Sequence, residues 1–324
     1  MKYFTWILGL LATIPFTARA HVSYVITKEE MVTHAGPDTH YLWTAIANKT
    51  DILLMVGTII GIVLLGFIFY KVSAINSFFK KVVSKLQSYH EFIPWITRLA
   101  LGIALIGAGT AKVLISPTFA DGGSFALLQI LLGFFFLAGF LLIPTAIATI
   151  VLFMHGIIQE PYLVGNLDFF VLAISVLVFH SARPGVDDMF GISLFQFIKI
   201  KRTYLAPIIR LGLGGAFIYL ALYEKLLNPG FTDLVVHQYN LMNIISVSPQ
   251  MWVFSIGVTE LLLGILIVLG WYTRLVAFVS ILVVSLTFFY FQESVYSHVT
   301  LFSALAILAI EGGGLWSIDA RRKD

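Results

Sequence analysis

Beyond residue 50 the chain alternates between continuous apolar runs and short polar breaks, the pattern of helices that cross a bilayer. The runs fall at 52–70, 97–115, 124–142, 144–158, 167–181, 206–227, 251–269, 275–291 and 299–310. At a rise of 1.5 Å per residue, about 20 apolar residues span the hydrocarbon core. A transmembrane barrel would instead show segments of about ten residues with alternating polarity. The pattern therefore predicts an all-α polytopic membrane protein with about nine transmembrane helices.

Residues 1–20 read differently. Lys2 gives a positive start, Phe4 to Phe16 is a short apolar stretch, and Ala18-Arg19-Ala20 supplies small residues before a cut, the layout of a secretory signal peptide. The competing reading is an uncleaved first anchor. Cleavage leaves His21 as the mature N-terminus and places residues 21–50 outside the cytoplasm. Nine crossings then put the C-terminus inside. Basic residues agree: Lys28, Lys49, Lys112 and Lys225 fall on external segments, and the remaining mature lysines and arginines on internal ones. These readings locate the protein in the inner (cytoplasmic) membrane, with the mature N-terminus external.

Composition sharpens this picture. With 59% hydrophobic and 11% charged residues and a mean hydropathy of +0.94, the chain exceeds what a soluble fold can bury. Lipid is thus its first partner. The net charge of +3 gives no reason to expect nucleic acid. The absence of cysteine excludes thiolate nucleophiles, disulfide relays and cysteine-ligated iron–sulfur clusters.

The spans carry an internal repeat. Arg98-Leu-Ala-Leu-Gly102 opens one unit and Arg210-Leu-Gly-Leu-Gly214 another, each followed by a small-residue-rich helix ending near a lysine, Lys112 or Lys225. Gln129-Ile-Leu-Leu-Gly133 aligns with Glu260-Leu-Leu-Leu-Gly264, and Gly139 with Gly270. The third helices end in Gln159-Glu160 and Gln292-Glu293, and the fourth run into Arg183-Pro-Gly-Val-Asp-Asp188 and Gly312-Gly-Gly-Leu-Trp-Ser-Ile-Asp319. Four crossings is an even number, so the expectation is two parallel four-helix-bundle repeats plus one N-terminal span. The organisation reads as a signal peptide (1–20), an external segment (21–50), a first transmembrane helix (51–71), a cytoplasmic amphipathic linker (72–96), the first unit (97–188), a cytoplasmic linker (189–205) and the second unit (206–320). Glycines 102, 107, 109, 212 and 214 suit close helix approach, and Gly57 and Gly61 repeat the small-xxx-small pattern on the first span.

These motifs resemble the DoxX family of membrane proteins: Arg98-Leu-Ala-Leu-Gly with a lysine downstream, the Glu260…Gly264…Gly270 helix with Thr273-Arg274 at its turn, and His298 opening a last helix that closes on Gly314-Leu-Trp-Ser-Ile-Asp319. The second unit matches throughout. The first matches more loosely, with Ile143 where the family has arginine and Asn166 near the place of His298. The resemblance implies a four-helix membrane bundle. Through some members it implies quinone-linked oxidation, as a subunit of a terminal quinol oxidase or thiosulfate:quinone oxidoreductase type of system with a periplasmic or membrane redox partner. Other relatives imply a scaffold, chaperone or small-solute or metal carrier, because fold alone does not settle function.

Ionisable groups within spans are costly and usually have a role. Topology places Lys225, Glu224, Glu260, Glu293 and His298 towards the external leaflet of the second unit. Lys225, Glu260, Glu293 and His298 are the candidate proton relay or ligand contacts; Glu224, Lys112 and Gln129 are candidates to line a quinone site. The bland alternative is a structural ion pair stitching helix ends, with Glu293 in water. His155 and His298, on different units, make a poor haem pair, and His180 reads as a packed histidine. His21, with its free amino group, and His34 or His40 are the candidate copper ligands. Gly312-Gly313-Gly314 reads as a helix C-cap and not a phosphate loop. Around Lys71 to Lys85, lysines alternate with Phe78, Phe79, Val82 and Val83, which predicts an amphipathic helix on anionic lipid.

Overall fold

The computed structural model describes residues 36, 38–49, 73–117, 122–179, 185–192, 194 and 200–321, with isolated positions between 52 and 60. The signal peptide, His21, His34, Gly61, His180, Arg183, and most of the external segment and first span lie outside the described residues. Every regular element described is helical. Among the described residues, six helices are long and apolar enough to cross a membrane: His90–Thr110, Leu142–Gln159, Pro161–Phe179, Arg202–Leu227, Pro249–Leu269 and Thr273–Tyr290. Gly123–Ala138 and Val295–Glu311 are shorter apolar helices. These eight coincide with eight of the nine predicted spans.

In chain order the helices are α1 (Thr39–Ala47), α2 (Ser73–Gln87), α3 (Ile93–Thr110), α4 (Ala126–Ala138), α5 (Leu142–Gln159), α6 (Leu167–Phe179), α7 (Val186–Phe190), α8 (Leu205–Leu220), α9 (Pro229–Gln238), α10 (Pro249–Leu269), α11 (Thr273–Tyr290), α12 (Val295–Glu311) and α13 (Ile318–Arg321). The first unit is built on α3–α6, the second on α8 and α10–α12. They do not stand as separate bundles. The first helix of each unit lies against the fourth helix of the other, α3 on α12 and α8 on α6, and α6 also meets α12. The outer helices flank this central group, α4 against α3 and α10 against α8. Burial follows: 67% of the apolar window is buried in the spans containing α6 and α8, against 22% in α10 and α11, which turn most of their surface to lipid.

Glycine makes the seams possible. A Cβ on Gly107 would lie 2.2 Å from Tyr296 Cβ on α12, and one on Gly212 would lie 2.1 Å from Val171 Cγ1 on α6. Within the units, Gly102 meets Gly133 and Gly214 meets Gly264, backbone to backbone. A Cβ on Gly57 would have nothing within 4 Å among the described residues.

The arginine–glycine spacing has a similar cause. Arg98 is buried, and its Nε and Nη2 donate to the Phe136 and Leu137 carbonyls at 2.9 and 3.0 Å. These carbonyls lie in the last turn of α4, where intrahelical donors run out; Phe136 O also accepts from the Gly139 cap amide at 3.2 Å. Arg210 donates to Val268 O at 3.2 Å and to Leu315 O at 2.8 Å. The glycines that end α4 and α10, Gly139 (φ +68°) and Gly270 (φ +65°), take the left-handed cap conformation against those guanidinium groups. Gly312 (φ +78°) ends α12 in the same role that the sequence suggested, with its N–H donating to Leu308 O at 2.8 Å.

The turn that follows is held by an acid. Asp187 accepts from the Leu141 and Leu142 amides at 2.8 and 3.0 Å. Asp319 accepts from the Tyr272 and Thr273 amides and from Thr273 Oγ1, all at 2.8 Å. Leu141 (φ +47°) and Tyr272 (φ +50°) sit in the left-handed region that side chains disfavour, so each carboxylate stabilises a strained turn. Asp319→Ala is expected to cost about 2–3 kcal/mol, since three donors lose a charged acceptor. Thermal unfolding of the purified protein measures it, and an unchanged midpoint would exclude this role for Asp319.

Candidate functional site

The second unit gathers its polar side chains where α8 ends. Residues 221–227 continue α8 as a π-helical turn, a local widening common at functional sites. Glu224 and Lys225, adjacent in sequence, are thereby both buried, at 0% and 7% exposure. Lys225 Nζ lies 2.7 Å from Glu224 Oε2 and 2.8 Å from Glu260 Oε2. The Glu260 side chain keeps 20% of its surface exposed. Tyr162, on the 3₁₀ turn Pro161–Asn166 of the first unit, donates from its hydroxyl to Glu224. Its ring packs against Tyr219 and Tyr223, which stack on each other. Two carboxylates around one ammonium carry one negative charge in excess, which the Tyr162 hydroxyl offsets at Glu224 and partial exposure eases at Glu260.

A second group lies where α11 meets α12. Glu293 and His298 are both buried, so the alternative with Glu293 in water is set aside. His298 Nε2 lies 2.5 Å from Glu293 Oε2, yet neither Glu293 carboxylate oxygen accepts an aligned hydrogen bond from the described residues. Ser297 Oγ is 2.9 Å from His298 Nδ1, and the Phe288 ring meets the imidazole edge-on. Across the seam, Asp168 at the start of α6 accepts a hydrogen bond from Thr300 and lies within electrostatic reach of His298. This group, too, joins two carboxylates to one base.

Both groups are completed by the first unit. Tyr162 and Asp168 escaped sequence reasoning because their partners are on the other unit. An aspartate one residue inside an apolar run was the signal available for Asp168.

The first unit's own candidates are placed elsewhere. Lys112 is exposed in the turn after α3, with φ +56°. Gln129 is buried but occupied by backbone: it accepts from Ile115 N and donates to Val113 O, both at 2.8 Å. It pins the turn after α3 and joins neither polar group. His155 and His40 are exposed. Among the described residues no three histidines or carboxylates come together in a metal-binding arrangement.

Part of α10 is covered by two short helices the hydropathy pattern did not separate. α9 and α1 both pack on α10. Thr232 on α9 bonds the Glu224 carbonyl at 3.2 Å. Tyr41 on α1 donates to Asp233 on α9 at 2.5 Å, and burial together with that carboxylate pushes the phenol well above its ordinary value, keeping it a donor.

These features define a multi-pass helical membrane protein with paired acid–base groups between its two units. The DoxX family model matches residues 205–293, which cover α8 to α11. No curated protein and no solved structure matches the chain.

Proposed function

We propose that this protein is a DoxX-type, quinone-interacting subunit of a membrane redox system, and that its two units descend from one duplicated four-helix ancestor. Duplication is supported by the matched bonds of Arg98 and Arg210, of Asp187 and Asp319, and by the reciprocal packing of first on fourth helices. The redox reading rests on Glu293, a buried carboxylate with unused acceptor capacity touching a histidine.

The donor set fits a quinone headgroup. Such a ring offers two carbonyl oxygens that need donors and, when reduced, two hydroxyls that need acceptors. Each group offers such a ring one donor and one acceptor, Lys225 with Glu260 in the first and His298 with Glu293 in the second. The exposed part of Glu260, on a helix turned mainly to lipid, supports access from the bilayer. When bound, quinone supplies the two-electron chemistry; the chain's own residues hold and move protons. His298 stands between Glu293 and Asp168, so a proton passed along these groups crosses from the rim into the seam between units. Electrons require a partner subunit, which we place outside the membrane or beside this chain.

Glu260→Gln and Glu293→Gln test the reading. Each is expected to lower quinol oxidation in membranes by roughly a hundredfold while the protein level stays near wild type, because the amide keeps the shape. Purified protein that carries no quinone, with oxidation unchanged in both variants, would overturn it. The mutual pairing within each group favours one rival, a non-enzymatic scaffold or carrier, for which these substitutions lower stability alone.

A further inference from the structure

The opposite end of the bundle, where the arginines cap the helices, holds a cavity of about 820 Å³. We propose that it binds the headgroup of an anionic phospholipid. The inference is independent of the quinone reading.

Three elements build the cavity. The amphipathic helix α2, which packs on α12, contributes Phe79, Lys80 and Val83; the 3₁₀ turn before α8 contributes Arg202; and the first turn of α11 contributes Arg274 and Leu275. Phe79 is anchored edge-on to Phe278 of α11, with ring centres 6.0 Å apart. The wall thus carries three cations; Arg274 already donates to the Ala309, Ile310 and Glu311 carbonyls and Arg202 bonds His90, which leaves Lys80 the most available.

Two carboxylates also line it, and Glu311 Oε1, though buried, accepts no aligned hydrogen bond from the described residues. Asp319 is committed to the Tyr272–Thr273 turn. Glu311 Oε1 lies 2.7 Å from His90 Nε2 and 3.9 Å from Arg202 Nη2. Lys80 makes no ion pair among the described residues and remains exposed, as does about half of the Arg202 side chain. A phosphodiester is the anion that meets these groups at a bilayer surface.

The apolar surroundings select a lipid over free phosphate. From Leu275 an exposed stripe runs along one face of α11 through Val279, Leu282 and Leu286, at 43%, 61% and 64% exposure. Its spacing of three and four residues keeps it on one side of the helix, so an acyl chain leaving the cavity has a track to follow. Free phosphate would gain nothing from that stripe.

The test is native mass spectrometry of the full chain released from mild detergent, after exposure to equal amounts of phosphatidylglycerol and phosphatidylcholine. The expected result is a single retained phosphatidylglycerol in strong preference to phosphatidylcholine. Lys80→Gln combined with Arg202→Gln should lower that retention roughly tenfold or more. Glu311→Gln, which removes a negative charge from the wall, should raise it, a direction that loss of folding would not produce. Equal retention of the two lipids, or retention indifferent to the charge changes, would overturn the proposal. Displacement of the lipid by excess inorganic phosphate alone would overturn it in favour of a soluble-anion site.

Discussion

Lys225→Met is expected to destabilise the protein by about 3–5 kcal/mol, because it strands Glu224 and Glu260 without the ammonium between them. Glu224 is fully buried, so water cannot replace the lost partner. A fall in Tm of roughly 10 °C follows from a loss of this size, measurable by thermal unfolding in detergent. Adding Glu224→Gln to Lys225→Met should recover much of the loss by removing the second buried charge. Lys112→Met, the corresponding change in the first unit, should leave Tm within about 1 °C, because Lys112 is exposed. The account fails if Lys225→Met is no more harmful than Lys112→Met.

The second large effect lies in the seams. Gly107→Ala and Gly212→Ala each place a Cβ about 2 Å from a heavy atom of the other unit, inside any allowed contact. Neither neighbour can yield by side-chain rotation alone. Tyr296 meets Gly107 with its own Cβ, and Val171 is β-branched with its Cβ 2.9 Å from the new methyl on residue 212. Each helix pair must therefore separate, at a cost of about 1–3 kcal/mol for overpacking. The two seams share no side chain, so the double variant should lose the sum. Gly215→Ala, whose added Cβ would meet only Leu167 Cδ1 at an ordinary 3.5 Å, is the control and should not destabilise. Thermal unfolding of the three single variants and the double variant decides it, and a double variant as stable as wild type would exclude tight packing between the units.

Much of this was legible beforehand because each feature is local. An apolar run long enough to cross a bilayer is a helix, since lipid cannot hydrogen-bond a backbone. Eight spans therefore reappear as apolar helices at nearly their predicted bounds. The pairing of Lys225 with Glu260 was also readable, because two opposite charges at one depth on neighbouring helices cost less together than apart. The family resemblance agreed with the match over residues 205–293.

Gln129 shows where local reasoning stopped. Its sequence position, matching that of Glu260, makes it a candidate to line a quinone site. In three dimensions its neutral amide accepts from the Ile115 amide and donates to the Val113 carbonyl, so it ties down the turn beside it and stands apart from both charged groups. α9 was missed for another reason: a surface helix of ten residues, with a mixed pattern, has no hydropathy signal that separates it from a loop.

By itself the sequence determined the class of protein, its spans, the parallel pairs of motifs and the half richer in buried charge, because those follow from hydropathy, spacing and the cost of charge in lipid. Only the tertiary structure decided which unit completes which site. Tyr162 reaches Glu224, and Asp168 comes within reach of His298, because α6 packs on α8 and α12. That packing depends on shape at Gly107 and Gly212, and contacts between distant segments leave no periodic trace along a chain.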